Sequence, residues 1–253
     1  MDVKKELIKK YSNNSKHSNY QVLPSSLKFV INDDDVETRT RFEKERLDYI
    51  LKKIEVRNKS VLDIGGNTGF FTFELIDAGA KSVHYYEGNT SHADFIDLAS
   101  KYLNLGKKIK ITNEYFSFEG DANMKYDIIL LLNVLHHLGD DYGDQGISID
   151  AAKQNMLVQL NSLHSMADVI VFQLGFNWKG NPNNCLFEDG TKKEMIDFVK
   201  TGVNGYWDII EIGIAEKKTD NIVYCELSDK NIERDDSLGE FLNRPLFILK
   251  ANK

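Results

Sequence analysis

Two carboxylates, Asp63 and Glu87, each close an apolar run, and between them lies the bare stretch Gly65-Gly66-Asn67-Thr68-Gly69. A carboxylate at the end of a strand can hold an ammonium group or order water. Glycines directly after it let the backbone turn at positive φ and let a ligand approach with no Cβ in the way. Asn67 stands where many such loops have another glycine, and asparagine is the residue next most tolerant of left-handed geometry. In an open parallel sheet, ligands bind at the carboxyl ends of the strands, beside the first strand. Glu87 lies 22 residues after Gly65, where nucleotide-binding sheets place the acid that grips ribose hydroxyls. Together these residues point to a ribonucleoside ligand.

Two phosphate-binding patterns fail. Counted from Gly65, the second and third glycine positions of G-x-G-x-x-G hold Asn67 and Phe70; counted from Gly66, they hold Thr68 and Phe71. Gly175 to Gly180 has the glycine spacing of a P-loop, but Asn181 follows where lysine is needed. A pyrophosphate would also be poorly served by Asp63. A cofactor with an amino-acid tail, a ribose and no phosphate suits Asp63 plus Glu87, and S-adenosylmethionine has those parts. Its methyl group would pass to an acceptor, and a hydroxyl acceptor must lose a proton. His136 and His137 follow a fourth apolar run directly, and imidazole is suited to that task near neutral pH. Adjacent residues point in different directions, so one of the pair is expected to act. A metal reading of His136, His137, Asp140 and Asp141 lacks further ligands at helical spacing, and no metal is expected. The segment LGFNWKGNPNNCLFEDG, residues 174–190, is long, polar and aromatic. Loops there line acceptor pockets, so Asn177 and Trp178 are candidate substrate contacts, an amide and a flat face for a sugar ring.

The elements that must position these residues alternate. Apolar runs predict strands at 60–64, 82–86, 108–112, 126–133 and 168–174, with helices at 70–78, 89–105 and 150–164 between them. Thr191-x-x-Glu194 is a capping-box signature for a helix to about Lys200. Residues 207–216, 222–227 and 246–251 are strand-like, and Lys218 to Asn221 reads as a hairpin turn. This predicts an α/β fold: a Rossmann-like, mostly parallel sheet with helices on both faces and antiparallel strands at the C-terminal end. Upstream, from Val36 to Ile54, the apolar positions Leu47, Ile50, Leu51 and Ile54 follow the pattern of an amphipathic helix. The expected organisation is an N-terminal helical arm, residues 1–59, and a sheet domain, residues 60–253.

Residues 1–60 carry 14 basic and 10 acidic side chains, a net of +4, and the rest a net of −11. An acidic body argues against a broad nucleic-acid footprint, and the basic arm reads either as a solvated helix face or as a dock for a phosphate-bearing partner. No apolar run is long enough to span a bilayer, and the N-terminus lacks the apolar core of a secretory signal. Cys185 and Cys225 fit no metal spacing and read as two reduced thiols. A cytoplasmic location is expected.

V-L-D-I-G-G-N-T-G, with Glu87 after the second strand and YDIILLLNVLHHL as a fourth-strand motif, resembles class I S-adenosylmethionine-dependent methyltransferases over about residues 60–175. The resemblance implies a seven-stranded sheet with an antiparallel last strand. It also implies Asp63 on the methionine moiety, Gly65, Asn67 and Gly69 packed against the cofactor, and Glu87 on the ribose. Gly88 and Asn133 join the cofactor-binding set, and the segment Asn113 to Phe116 would meet adenine. A narrower similarity starts at Tyr20-Gln21 and Arg41-x-x-x-x-Arg46-Leu47-Asp48 and continues through the glycine loop to V-L-H-H. There the chain is similar to the methyltransferase part of bacterial O-antigen chain-terminating enzymes, which methylate a saccharide or its terminal phosphate. That similarity implies that Tyr20 and Arg41 fold over the cofactor, with Arg41 available to its carboxylate; the alternative is an ion pair on a helix surface. Competing functions are a methyltransferase acting on tRNA or other nucleic acid, and a non-catalytic S-adenosylmethionine binder.

Overall fold

A computed structural model describes residues 2–12, 20–119 and 124–252 of the chain. They form two compact units, Met1–Phe116 and Ser117–Lys253. The fold is mixed α/β, with an eight-stranded, mostly parallel sheet whose C-terminal strands are antiparallel.

In the first unit, β1 (Ser60–Ile64), β2 (Ser82–Tyr86) and β3 (Ile109–Thr112) lie in the order β3-β2-β1, all parallel. Their runs are apolar on both faces because helices cover a parallel sheet on both sides. The glycine loop leads into α3 (Phe70–Asp77), and Asn89 caps α4 (Thr90–Tyr102) by accepting from the Ser91 and His92 N–H groups. The arm belongs to this core. Leu7 and Tyr11 on α1 (Val3–Tyr11), together with Leu27 and Ile31, are completely buried. Tyr11 meets Phe95 of α4 edge-on at 5.4 Å between ring centroids. Each such side chain contributes about 1.5–3 kcal/mol by burial.

Some of the arm's lysines are answered by ion pairs. Lys4 pairs with Asp35 at 2.6 Å, Lys10 with Asp94 at 2.9 Å and Lys28 with Asp33 at 2.9 Å. The helix expected from Val36 begins later: α2 runs Glu43–Lys53. Phe42 takes a left-handed conformation (φ 56°), and Glu43 accepts from the Arg41 N–H and the Thr40 hydroxyl, which fixes the chain outside the helix up to that point. Leu51, part of the predicted apolar stripe, is exposed.

In the second unit, β4 (Tyr126–Leu132), β5 (Ala167–Gln173), β6 (Trp207–Lys218), β7 (Asn221–Glu226) and β8 (Leu246–Ala251) lie in the order β4-β5-β8-β6-β7. Strand β8 is antiparallel to both of its neighbours, and β7 is antiparallel to β6. The Phe172–Phe247 cross-strand pair, 6.0 Å between centroids, marks the centre of this core. Helices α5 (Ile149–Ser162) and α6 (Lys192–Gly202) present Met156, Leu160, Met195 and Val199 as buried side chains, and the Thr191–Glu194 capping box is complete. A four-residue helix, α7 (Gly239–Leu242), precedes β8. The sheet thus has one strand more than the seven implied by resemblance. The surplus is the edge strand β7, which among the described residues pairs with β6 alone, through the hairpin predicted at Lys218 to Asn221.

Candidate functional site

Parallel register pairs Asp63 with Tyr85, so both side chains leave the same face, and Glu87, two residues beyond Tyr85, continues that face. Asp63 is buried, and its Oδ2 accepts from the Thr72 hydroxyl at 2.6 Å. Burial raises its pKa to about 6; the Thr72 bond works against that rise, and the Glu87 charge adds to it. A cation placed beside Asp63 would restore its ionised form. Tyr85 is fully buried and donates its hydroxyl to the Asn67 carbonyl at 2.5 Å.

The glycine loop is built by main chain. Gly65 (φ 69°), Asn67 (φ 53°) and Gly69 (φ 77°) all take left-handed conformations. Gly66 does not, and it is required for a different reason: a Cβ there would sit 2.5 Å from the Tyr85 ring and 2.9 Å from the Asp63 carboxylate. Glu87 ties the loop down. Its Oε2 accepts from the Asn67 N–H at 2.9 Å and its Oε1 from the Asn89 N–H at 2.8 Å. The Tyr115 ring packs over Gly88, leaving no room for a Cβ, and Asn113 donates to the Glu87 carbonyl at 2.9 Å. Tyr20 and Arg41 meet, with the guanidinium 4.6 Å from the ring centroid.

The remaining predicted residues lie in the second unit. Asn133, in a left-handed conformation (φ 62°) after β4, receives Arg244 on its Oδ1 at 2.8 Å and donates to Gln173 at 2.9 Å. Gln173 donates in turn to the Arg244 carbonyl at 3.0 Å, and Arg244 grips Glu240 through its Nε and one terminal nitrogen. Glu240 also accepts from the Phe176 N–H at 3.0 Å. The Asn133 side chain is therefore held inside this network.

The two histidines differ. His136 is buried, and its Nδ1 accepts from the Gly175 N–H at 3.3 Å. The proton of neutral His136 therefore sits on Nε2, which leaves no free lone pair to act as a base. His137 is half-buried, with Nδ1 3.2 Å from an Asp141 oxygen and 4.0 Å from Asp140. A carboxylate beside Nδ1 favours the tautomer that carries its proton there. The ligand atoms of His137, Asp140 and Asp141 lie within 4.8 Å of one another. Trp178 is buried; its indole N–H donates to the Leu138 carbonyl at 2.7 Å, and the Lys179 ammonium lies 4.1 Å from its ring centroid. Asn177 is half-buried and bridges to Cys185. His84 is buried against the Thr112 hydroxyl, and burial lowers its pKa to about 4.

Sequence reasoning missed Thr72, Tyr85, Gln173, Glu240 and Arg244. Strand alternation from Asp63 and Glu87 could have found Tyr85. No local pattern marks the others.

No family model and no curated protein matches the sequence. Among solved structures, WbdD is similar with a TM-score of 0.62 and 14% identity, over 96% of this chain and 46% of that one. Another structure describes WbdD as a bifunctional kinase-methyltransferase. The chain thus spans less than half the length of WbdD. Magnesium protoporphyrin IX methyltransferase (ChlM) from Synechocystis PCC 6803, solved with bound SAM, is similar with a TM-score of 0.50 and 13% identity, over 83% of this chain and 77% of that one. The chain has the class I methyltransferase fold. Among the described residues, no helix is long and apolar enough to cross a membrane.

Proposed function

We propose that the protein is an S-adenosylmethionine-dependent methyltransferase that O-methylates a hydroxyl or phosphate of a saccharide or other small molecule. The observation that carries this reading is the pairing of buried Asp63 with loop-tying Glu87 around the glycine turn. Asp63, desolvated and short of a counter-charge, suits the ammonium of an amino-acid tail. Glu87, at the end of the second strand beside the loop, suits ribose hydroxyls, and the loop presents a main chain with no Cβ at Gly65, Gly66 and Gly69. Tyr20 and Arg41 are assigned to the tail's carboxylate, with residues 1–59 as the arm that covers it. When bound, the cofactor supplies a methyl group activated on a sulfonium.

His137 is assigned as the general base, with Asp141 orienting it through Nδ1 and Nε2 taking the proton of a hydroxyl acceptor. His136 is assigned to structure. Asn177 is retained as a polar contact to the acceptor. With its indole edge bonded to Leu138 and one face covered by Lys179, Trp178 supports the loop rather than stacking a sugar. The saccharide acceptor rests on the similarity to O-antigen chain-terminating enzymes.

Calorimetry with S-adenosylmethionine, its demethylated product and NAD tests the cofactor: the first two should bind and NAD should not. Incubation with labelled cofactor and saccharide, phosphosaccharide and RNA pools then reads out the acceptor by mass spectrometry. Label found only in RNA would overturn the acceptor assignment.

A further inference from the structure

Helix α3 begins with a defect that a distant residue repairs. Its N-cap, Gly69, has no side chain to receive the first free N–H groups of the helix. The Phe70 N–H is instead received by the side-chain Oε1 of Gln21 at 3.0 Å, and the Thr68 hydroxyl lies 3.4 Å from the same oxygen. A serine or asparagine at position 69 could not do this job. Its Cβ would fall 2.2 Å from Ile96 in a conformation (φ 77°) that side chains rarely adopt. The chain around Gln21 is itself anchored. The Tyr11 hydroxyl donates to the Gln21 carbonyl, and the Ser25 N–H donates to Glu74 of α3 at 2.5 Å. Residues 21–25 therefore grip α3 at its first turn and again at Glu74, with Leu23 buried between the two bonds.

We propose that Gln21 is a positioning residue for the glycine loop, serving through its Oε1 as the cap of α3 and making cofactor affinity depend on the arm. The reason is geometric. The loop must be bare at Gly65, Gly66 and Gly69, so it cannot hold its own helix start, and an acceptor from outside does so. In its consequence for affinity this rests on the cofactor reading above; the capping role stands apart from it.

The test uses the full-length protein with Gln21→Met, which keeps length and packing but removes the acceptor, and Gln21→Glu, which keeps an acceptor at the positive end of the helix. Hydrogen exchange of the Phe70 amide is measured without ligand, and S-adenosylmethionine affinity is measured by calorimetry. Gln21→Met should speed Phe70 exchange and weaken binding, each by about 3- to 30-fold, the range of a lost N-cap. Exchange at Leu7 and Phe95 should stay unchanged, so that general loosening is excluded. Gln21→Glu should restore both. Wild-type Phe70 exchange in Gln21→Met overturns the proposal, as does a Gln21→Glu protein as impaired as Gln21→Met. If the wild type binds no S-adenosylmethionine, the cofactor reading fails while the exchange measurement still decides the cap.

Discussion

Residues 60–89 hold their candidate ligand groups with main chain, whereas Asn133, Gln173, Glu240 and Arg244 are held by side chains from three separate segments. In the first region, left-handed backbone at Gly65, Asn67 and Gly69 shapes the loop, and Glu87 receives the main-chain N–H groups of Asn67 and Asn89. In the second, Asn133, Gln173, Glu240 and Arg244 form a closed relay of amides, one carboxylate and one guanidinium. A main-chain site resists drift, because most substitutions leave the backbone in place, but it fails where a Cβ or a lost carboxylate enters. A side-chain relay depends on each member, and most of all on Arg244, which touches two of its partners through the guanidinium and a third through its carbonyl.

The largest expected effect lies beside that relay. His137→Ala should lower turnover on a hydroxyl acceptor by about 10²–10⁴ and remove the rising limb of the pH–rate profile, with cofactor affinity unchanged. His136→Ala should act on stability, not on that limb. Equal losses of turnover in the two variants would sink the distinction drawn from the Gly175 bond. Next comes Glu87→Ala, which removes two main-chain anchors as well as the proposed ribose contact. Cofactor affinity measured by calorimetry should fall by about 1–3 kcal/mol. Glu87→Gln, which keeps one strong acceptor, should fall less.

Arg244→Ala sharpens the contrast, because it leaves Asn133 and Glu240 without their shared partner. Urea denaturation should show about 1–3 kcal/mol of lost stability. A second-unit substitution that instead left stability intact and abolished cofactor binding would reverse the roles assigned to the two regions. The smallest effect is graded with pH. Asp63 has a folded pKa raised to about 6 from 3.8, so below about pH 6 Asp63 loses its charge in the unliganded protein. Affinity for a cationic tail should then fall by at most about tenfold per pH unit. The linked stability has the opposite sense. Between pH 3.8 and about 6 the folded state holds a proton that the unfolded state has released, so stability of the unliganded protein falls as pH rises through that window. Asp63→Asn should flatten both curves, and unchanged pH dependence in that variant would remove Asp63 from the site.

Legibility followed the same division. The strands Ser60–Ile64, Ser82–Tyr86 and Leu246–Ala251 match their apolar runs residue for residue, and the Asn89 and Thr191 caps were readable from local chemistry. The start of α2 was not readable, because it depends on Phe42 taking a left-handed conformation that its residue type does not announce. The arm looked polar and broken because Leu7, Tyr11, Leu27 and Ile31 follow no single period, yet all four are buried. Of the candidate site, Asp63 and Glu87 could be found by strand-end position, whereas the pairing of Arg244 with Asn133 spans 111 residues and leaves no periodic trace.

The sequence alone determined the α/β alternation, the bare turn after the first strand and the two carboxylates that frame it. These follow from hydrophobic period and local backbone preference, which act over a few residues. Only the tertiary structure decided which histidine receives the Gly175 N–H, that Gln21 caps a helix starting 49 residues later, and that Asn133 faces Arg244. Those outcomes depend on which donor meets which acceptor once distant segments are packed, and desolvation enforces that choice only in the folded chain.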